Sequence, residues 1–283
     1  MKLCRYNGNH LGLVEGDEVI DVTAAMDLLP PLTYPVPLQD QLVANLPRMT
    51  GRIEEIARSG HRQRLDSVQL ELPVANPGKI IAAPVNYTKH LQEVLNDRAI
   101  HNDNQINHIQ RAGLFLKAQS SLVGPAHGIK LTLPDRRTDH EVELVVVIGQ
   151  TCKNIPRERA LDVVAGYCIG LDITIRGPEE RSFRKSPDSY TVMGPWLTTA
   201  DEVSDPGHLA MELKVNDEVR QTTNTSDLIL GVPELIVFAS SFYTLHPGDV
   251  IFTGTPEGVS PIQHNDVLDA RLERLGSMRV TVQ

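Results

Sequence analysis

Two acidic residues set two apart open the chemical reading of this chain: Asp139-His140-Glu141-Val142-Glu143 runs directly into the apolar stretch LVVVIG. In a β-strand, residues i and i+2 project from one face, so Glu141 and Glu143 point the same way where the strand leaves the core. Two carboxylates on one face repel unless a proton or a cation lies between them. Taken alone, such a pair is ordinarily solvated, because acidic residues stay exposed. A third acid shifts that balance. Asp172 stands in GLDITIR, among Leu171, Ile173 and Ile175. An Asp buried in a strand needs a partner, and the candidates are a metal ion or Arg176, four residues on and on the same face of the run. Oxygen-only ligands favour magnesium, manganese or calcium over zinc.

A second constellation is Asn86-Tyr87-Thr88-Lys89-His90-Leu91-Gln92-Glu93. On a helix, the spacing of His90 and Glu93 lets the carboxylate orient the imidazole, which makes a competent general base near neutral pH. Pairs at this spacing also arise by chance on helix surfaces, where they contribute little. A third group comprises Lys117 in FLKAQSSL, Lys185 in RKSPDSYTVMGPW and the segment Thr253-Gly254-Thr255-Pro256-Glu257-Gly258. Glycines there would let backbone N–H groups approach an anionic oxygen, with a lysine adding charge. Residue preferences alone read TGTPEG as an ordinary turn. The chain has no GxSxG, HExxH, GxxxxGK[ST] or GxGxxG, which weakens esterase, zincin and P-loop readings.

The elements that must position these residues are mostly strands. The first segment alternates short apolar runs with turn signals, as a small meander does. Residues 41–60 have helical spacing, with Leu42, Val43, Leu46, Ile53 and Ile56 as the apolar set. Asn76-Pro77-Gly78 punctuates the chain near the boundary between a small N-terminal β-rich domain, 1–72, and a larger domain, 73–283. In the larger part KIIAAPV, ELVVVIG, VVAGYCIGLDITI and DVIFTG read as strands, and LAMELKVNDEVRQ as a hairpin turning at Asn216-Asp217. TKHLQEVLNDR reads as a helix, Pro156 starts a short one, and Val232-Pro233 opens ELIVFASSFYTL. A few helices among many strands, without strict alternation, predict a strand-dominated α+β roll rather than a doubly wound fold. The polar stretch around 94–112 reads equally as a surface loop or a closing lid.

At 283 residues, with 41% hydrophobic and 22% charged residues, the chain is long enough to bury a sizeable core. A net charge of -9 offers no basic stripe for nucleic acid, while a bound cation and a few local Arg or Lys residues could still make one cleft attractive to an anion. Three cysteines without a CxxC pair, and no apolar run long enough to span a bilayer, predict a cytoplasmic protein with no membrane partner.

In order and spacing, KIIAAPVNYTKHLQE, FLKAQSSLVGP, DHEVELVVVIG, AGYCIGLDITIR, RKSPDSYTVMGPWL, LKVNDEVRQ, HPGDVIFTGTPEGV and LGSMRV resemble the fumarylacetoacetate hydrolase family. The resemblance runs from about residue 78 to the C-terminus, and the first 70 or so residues are similar to the short N-terminal domain of many bacterial members. It implies a mixed β-sandwich roll, a homodimer and a small oxo-carboxylate substrate. Magnesium or manganese would sit on Glu141, Glu143 and Asp172, with calcium a further option. His90 and Glu93 would activate water, Lys185 would polarise the substrate, and Lys117, Arg176, Glu179 and Thr255 would line or contact it. The implied reaction is hydrolysis of the C–C bond of a 2,4-dioxo acid, of acylpyruvate or fumarylpyruvate type, through an enolate that the cation stabilises. Isomerisation or hydration of 2-oxo-enedioates, decarboxylation of oxaloacetate-like acids, and a silent ligand-binding role are the alternatives. Two departures concern specificity. Arg176-Gly177-Pro178-Glu179 stands where many members read a form of Arg-Asp-x-Gln, and Arg181-Ser182-Phe183-Arg184 replaces a frequent tryptophan, so this loop could receive a second carboxylate.

Overall fold

The computed structural model describes residues 1–101 and 107–283. The strand Val142–Ile148, which carries Glu143 and starts directly after Glu141, is buried on both faces, which explains its continuous apolar run. Leu144, Val146 and Ile148 enter one core, with Leu235 and Ile236 of the helix Val232–Phe242 and Leu213 and Leu268 of a separate four-stranded sheet. Val145 and Val147 enter the other core, with Val43, Leu46, Met49 and Ile53 of the helix Gln41–Ala57. Fully burying each such side chain contributes about 1.5–3 kcal/mol, so both layers hold this strand in place.

On one side Val142–Ile148 pairs antiparallel with Val164–Asp172, which pairs in turn with Thr191–Thr199. On the other it pairs antiparallel with Val250–Phe252, which runs parallel to Ile80–Ala82, and Phe115–Lys117 follows. Lys2–Tyr6 joins the far side of Thr191–Thr199, and His10–Glu15, Glu18–Asp21 and Arg62–Arg64 extend the same sheet. The segment 1–72 thus adds its strands to the central sheet and its helix to the second core. The mixed-sheet, strand-dominated α+β architecture expected from the sequence is the observed one.

Local rules explain most elements. Asp40 caps the helix Gln41–Ala57 by accepting from the Val43 N–H at 3.0 Å. Asn216 and Asp217 have φ of 51° and 68°, as the two central residues of a tight hairpin turn require. Elsewhere the reading changes. The run VVAGYCIGLDITI is two strands, Val164–Asp172 and Thr174–Ile175, broken at Ile173, whose N–H donates to the Tyr190 carbonyl at 3.0 Å. Pro156 precedes a 3₁₀ helix, Arg157–Val163. Of the expected lid, Arg98–His101 and Ile109–Ala112 are short helices, while residues 102–106 lie outside the described residues. Among the described residues no helix is long and apolar enough to cross a membrane.

Candidate active site

Strand register assembles the acids. Gly170 lies opposite Glu143 and Leu171 opposite Val142, and the next residue, Asp172, donates its N–H to the Glu141 carbonyl at 2.8 Å. Period-two geometry then puts Glu141, Glu143 and Asp172 on one face. All three are buried, and one carboxylate oxygen from each lies within 4.8 Å of the others.

Their charges are not evenly compensated. Lys185 donates to Glu141 and Asp172, each at 2.7 Å, and Arg176 donates to Glu141 at 2.8 Å. Lys117 donates to Asp172 and, at 2.9 Å, to the Tyr190 carbonyl. Burial pushes the Glu141 carboxyl up, but Lys185 and Arg176 overrule it and hold it well below the usual range. Among the described residues Glu143 accepts only the Gly254 N–H, at 2.6 Å, and no Lys, Arg or His forms an ion pair with it. Burial first, then the neighbouring Asp172 and Glu141 charges, raise its carboxyl well above the ordinary value. A buried oxygen triad with one uncompensated member fits a hard divalent cation, which supplies the charge Glu143 lacks.

The histidine arrives from two strands over, beyond Val250–Phe252. After Ile80–Ala82 the chain turns through Val85, whose φ of 48° is unusual for a β-branched residue. Asn86 then clamps the turn, donating to the Leu230 and Thr253 carbonyls at 2.9 and 2.8 Å and accepting from the Leu230 N–H at 2.8 Å. The helix Thr88–Asn96 begins immediately after and carries His90 Nδ1 to 2.8 Å from Glu93 Oε2. If Nδ1 holds the proton, Nε2 is the basic nitrogen.

The glycine turn serves both acid groups. Gly254, at φ 101°, gives its N–H to Glu143, and Gly258, at φ 94°, gives its N–H to Glu93 Oε1 at 2.9 Å. A Cβ at Gly258 would stand 2.0 Å from the Arg220 carbonyl oxygen. Between the glycines, Thr255 Oγ1 accepts from Gln221 Nε2 at 2.8 Å, leaving its own proton to donate.

These groups line one narrow cavity, about 80 Å³, shared by His90, Glu141, Glu143, Asp172, Arg176, Lys185 and Thr255. Arg181, Arg184 and Phe115 also line it, as do Val94, Ile100 and His101. Three expectations change. Arg176 is not the partner of Asp172: the break at Ile173 moves it off that strand, and it joins Asp139 and Glu141, each at 2.8 Å. Lys185 engages all three of its N–H donors, on Glu141, Asp172 and Thr174, so it orders the carboxylates instead of offering the cavity a free proton. Glu179 is outside the cavity wall, in a bidentate pair with Arg136 at 2.7 and 2.8 Å that holds its carboxyl down at about 2.

Sequence reasoning missed Gln221 and Phe115. Gln221 alone is buried among outward residues of Glu218–Asn224, where it accepts from the Val142 N–H at 3.1 Å and supports Thr255, and nothing in its segment marks it. Phe115 stands two residues before Lys117 on one strand, so period two could have found it.

Residues 79–283 match the family model described as fumarylacetoacetate (FAA) hydrolase C-terminal. The chain is 60% identical over 285 residues to maleylpyruvate hydrolase from Aquipseudomonas alcaligenes, covering 100% of this chain and 99% of that protein. The crystal structure of maleylpyruvate hydrolase from Sphingobium sp. SYK-6 in complex with manganese (II) ion and pyruvate is similar with a TM-score of 0.85 and 42% identity, over 100% of this chain and 98% of that one. A mitochondrial oxaloacetate tautomerase from Xenopus laevis is 33% identical over 225 residues, 75% of this chain and 67% of that protein. The buried acids, the His-Glu pair and the glycine turn thus sit on a scaffold shared along the whole chain, and the protein belongs to the fumarylacetoacetate hydrolase family.

Proposed function

We propose that this protein is a divalent-metal-dependent hydrolase that cleaves the C–C bond of an acylpyruvate of the maleylpyruvate or fumarylpyruvate type. The observation that carries the reading is a buried oxygen triad, with Glu143 uncompensated, in the same cavity wall as a histidine already tied to a carboxylate. The 60% identity to a maleylpyruvate hydrolase supports the substrate class.

Held by Glu141, Glu143 and Asp172, magnesium or manganese supplies a Lewis acid for the 2-oxo acid end and a sink for the electron pair released at C3. The chain's own residues do the rest. His90 Nε2 takes a proton from water, with Glu93 steadying the imidazolium through Nδ1. The water oxygen bonds to C4, and the Thr255 hydroxyl donates to the oxygen that gains charge there. The C3–C4 bond then breaks, its electron pair forms the enolate of pyruvate, and the proton held by His90 returns to C3. The products are pyruvate and the acyl carboxylate. Lys117, Lys185 and Arg176 fix the carboxylates throughout.

Loss of the dioxo-acid absorbance is the test, with acetylpyruvate, maleylpyruvate and fumarylpyruvate each assayed with manganese, with magnesium and after chelation. Metal-dependent release of pyruvate is expected, and its absence from all three substrates would sink the assignment. A cytoplasmic homodimer belongs to the same proposal through the family resemblance, and light scattering checks the oligomer.

A further inference from the structure

Arg176, Arg181, Arg184 and Lys185 line the cavity and the buried Lys117 adjoins its acids, and four of these five cations are committed. Lys117, Lys185 and Arg176 serve the carboxylates. Arg184 donates from Nε to the Glu179 carbonyl at 2.8 Å and from a terminal nitrogen to the Ile175 carbonyl at 3.4 Å. Arg181 differs. Among the described residues no carboxylate or carbonyl is hydrogen-bonded to its guanidinium, which stands over the Phe115 ring, 5.2 Å from the centroid. The same ring carries the Lys185 ammonium at 5.6 Å, so Phe115 links the unpaired arginine to the acid end of the cavity.

We propose that Arg181 is the receptor for the distal carboxylate of a dicarboxylic 2-oxo acid, with Phe115 as its platform and Arg184 as structural support. An aromatic face holds a guanidinium plane while leaving its N–H edge open, and that edge matches a carboxylate with two parallel hydrogen bonds. Burial lowers the Arg181 pKa, outweighing the Asp172, Glu141 and Glu180 charges, as expected for a cation with no carboxylate at contact among the described residues. Arg184 cannot serve equally, because turning its fork toward a ligand would strip two backbone carbonyls of a donor. The assignment rests on the reading of the Glu141, Glu143 and Asp172 end as the seat of the 2-oxo acid group. It goes further by stating what the Arg181 side of the cavity selects.

The experiment is calorimetric binding of 2-oxoadipate and its monocarboxylic counterpart 2-oxohexanoate to the manganese-loaded full chain. Neither is a 2,4-dioxo acid, so binding is read without turnover. The wild type is expected to prefer the diacid by about tenfold or more, the worth of a charge-assisted pair. Arg181→Ala should bring that ratio to about one, and Arg181→Lys, which keeps the charge and loses the fork, should leave it between the two. A wild type without preference for the diacid, or an Arg181→Lys protein that keeps the full ratio together with an Arg181→Ala protein that does the same, overturns the proposal. Turnover of acetylpyruvate, maleylpyruvate and fumarylpyruvate by the same wild-type preparation reads the hydrolase assignment separately. A diacid preference without turnover of any of the three would remove the hydrolase and leave the arginine in place.

Discussion

The acid floor of the cavity and the arginine wall facing it are built in opposite ways. Glu143 and Asp172 stand on long strands packed between two cores, Glu141 directly precedes the first of them, and the pairing of these strands, continued by the Asp172 N–H to Glu141 carbonyl bond, brings the three within 4.8 Å. The wall at Arg176–Lys185 is a strand end and one short helix, Arg181–Lys185, steadied by single side-chain contacts such as Arg136 with Glu179. A rigid sheet suits groups whose mutual distance sets the chemistry. A short helix can change its side chains without disturbing the cores, so it suits groups that choose the substrate.

Mutations that separate floor from wall should test this contrast. Glu141→Gln removes a floor ligand and leaves Lys185 and Arg176 facing a neutral amide. A loss of several kcal/mol of charge stabilisation lowers kcat by about a thousandfold, measured as pyruvate release with manganese in excess. His90→Ala removes the base from the roof of the same cavity, and hydrolysis should fall by about a hundredfold or more. Steps that need no attacking water, such as oxaloacetate decarboxylation, should fall less, and equal losses in both assays would take the water-activating role from His90.

Cation binding should depend on pH in a defined direction. The Glu143 carboxyl is raised in the free protein, so its proton competes with the cation. Manganese affinity should therefore rise with pH above the ordinary carboxylate value until Glu143 is ionised, by up to about tenfold per unit for one proton released. Calorimetry in buffers of different ionisation enthalpy counts that proton, and a pH-independent affinity would argue against Glu143 as a ligand. Gly258→Ala strains the turn that holds Glu93, at φ 94° and against the Arg220 carbonyl. A loss of about 1–3 kcal/mol in urea unfolding is expected, with a smaller fall in kcat than His90→Ala gives.

The smallest effect belongs to the rim. Glu179 is half-buried, outside the cavity wall and paired with Arg136, so Glu179→Gln should change turnover by no more than about twofold. Its carboxyl is depressed to about 2, so whatever stability the pair adds is present above the ordinary carboxylate value near 4.5 and is lost as pH falls from there toward 2. Thermal melts of wild type and variant should converge over that window.

Much of the floor was legible in the sequence. Period two put Glu141 and Glu143 on one face, apolar neighbours marked Asp172 as buried, and a three-residue spacing joined His90 to Glu93, because each relation is local to one element. The break at Ile173 was not legible, since it depends on a hydrogen bond to Tyr190, and it removed Arg176 from the two candidate partners of Asp172. Glu179 was misplaced for a related reason: its partner Arg136 is distant in sequence, and motif position says nothing of which way a loop carboxylate turns.

By itself, then, the sequence determined the family, the strand-dominated fold and which acids share a face, since periodicity and motif order are written along the chain. Only the tertiary structure decided which cations those acids already own, that Gly254 and Gly258 hold Glu143 and Glu93, and that among the described residues no carboxylate pairs with Arg181. Those are matters of contact between segments remote in sequence, where distance and orientation set the electrostatics.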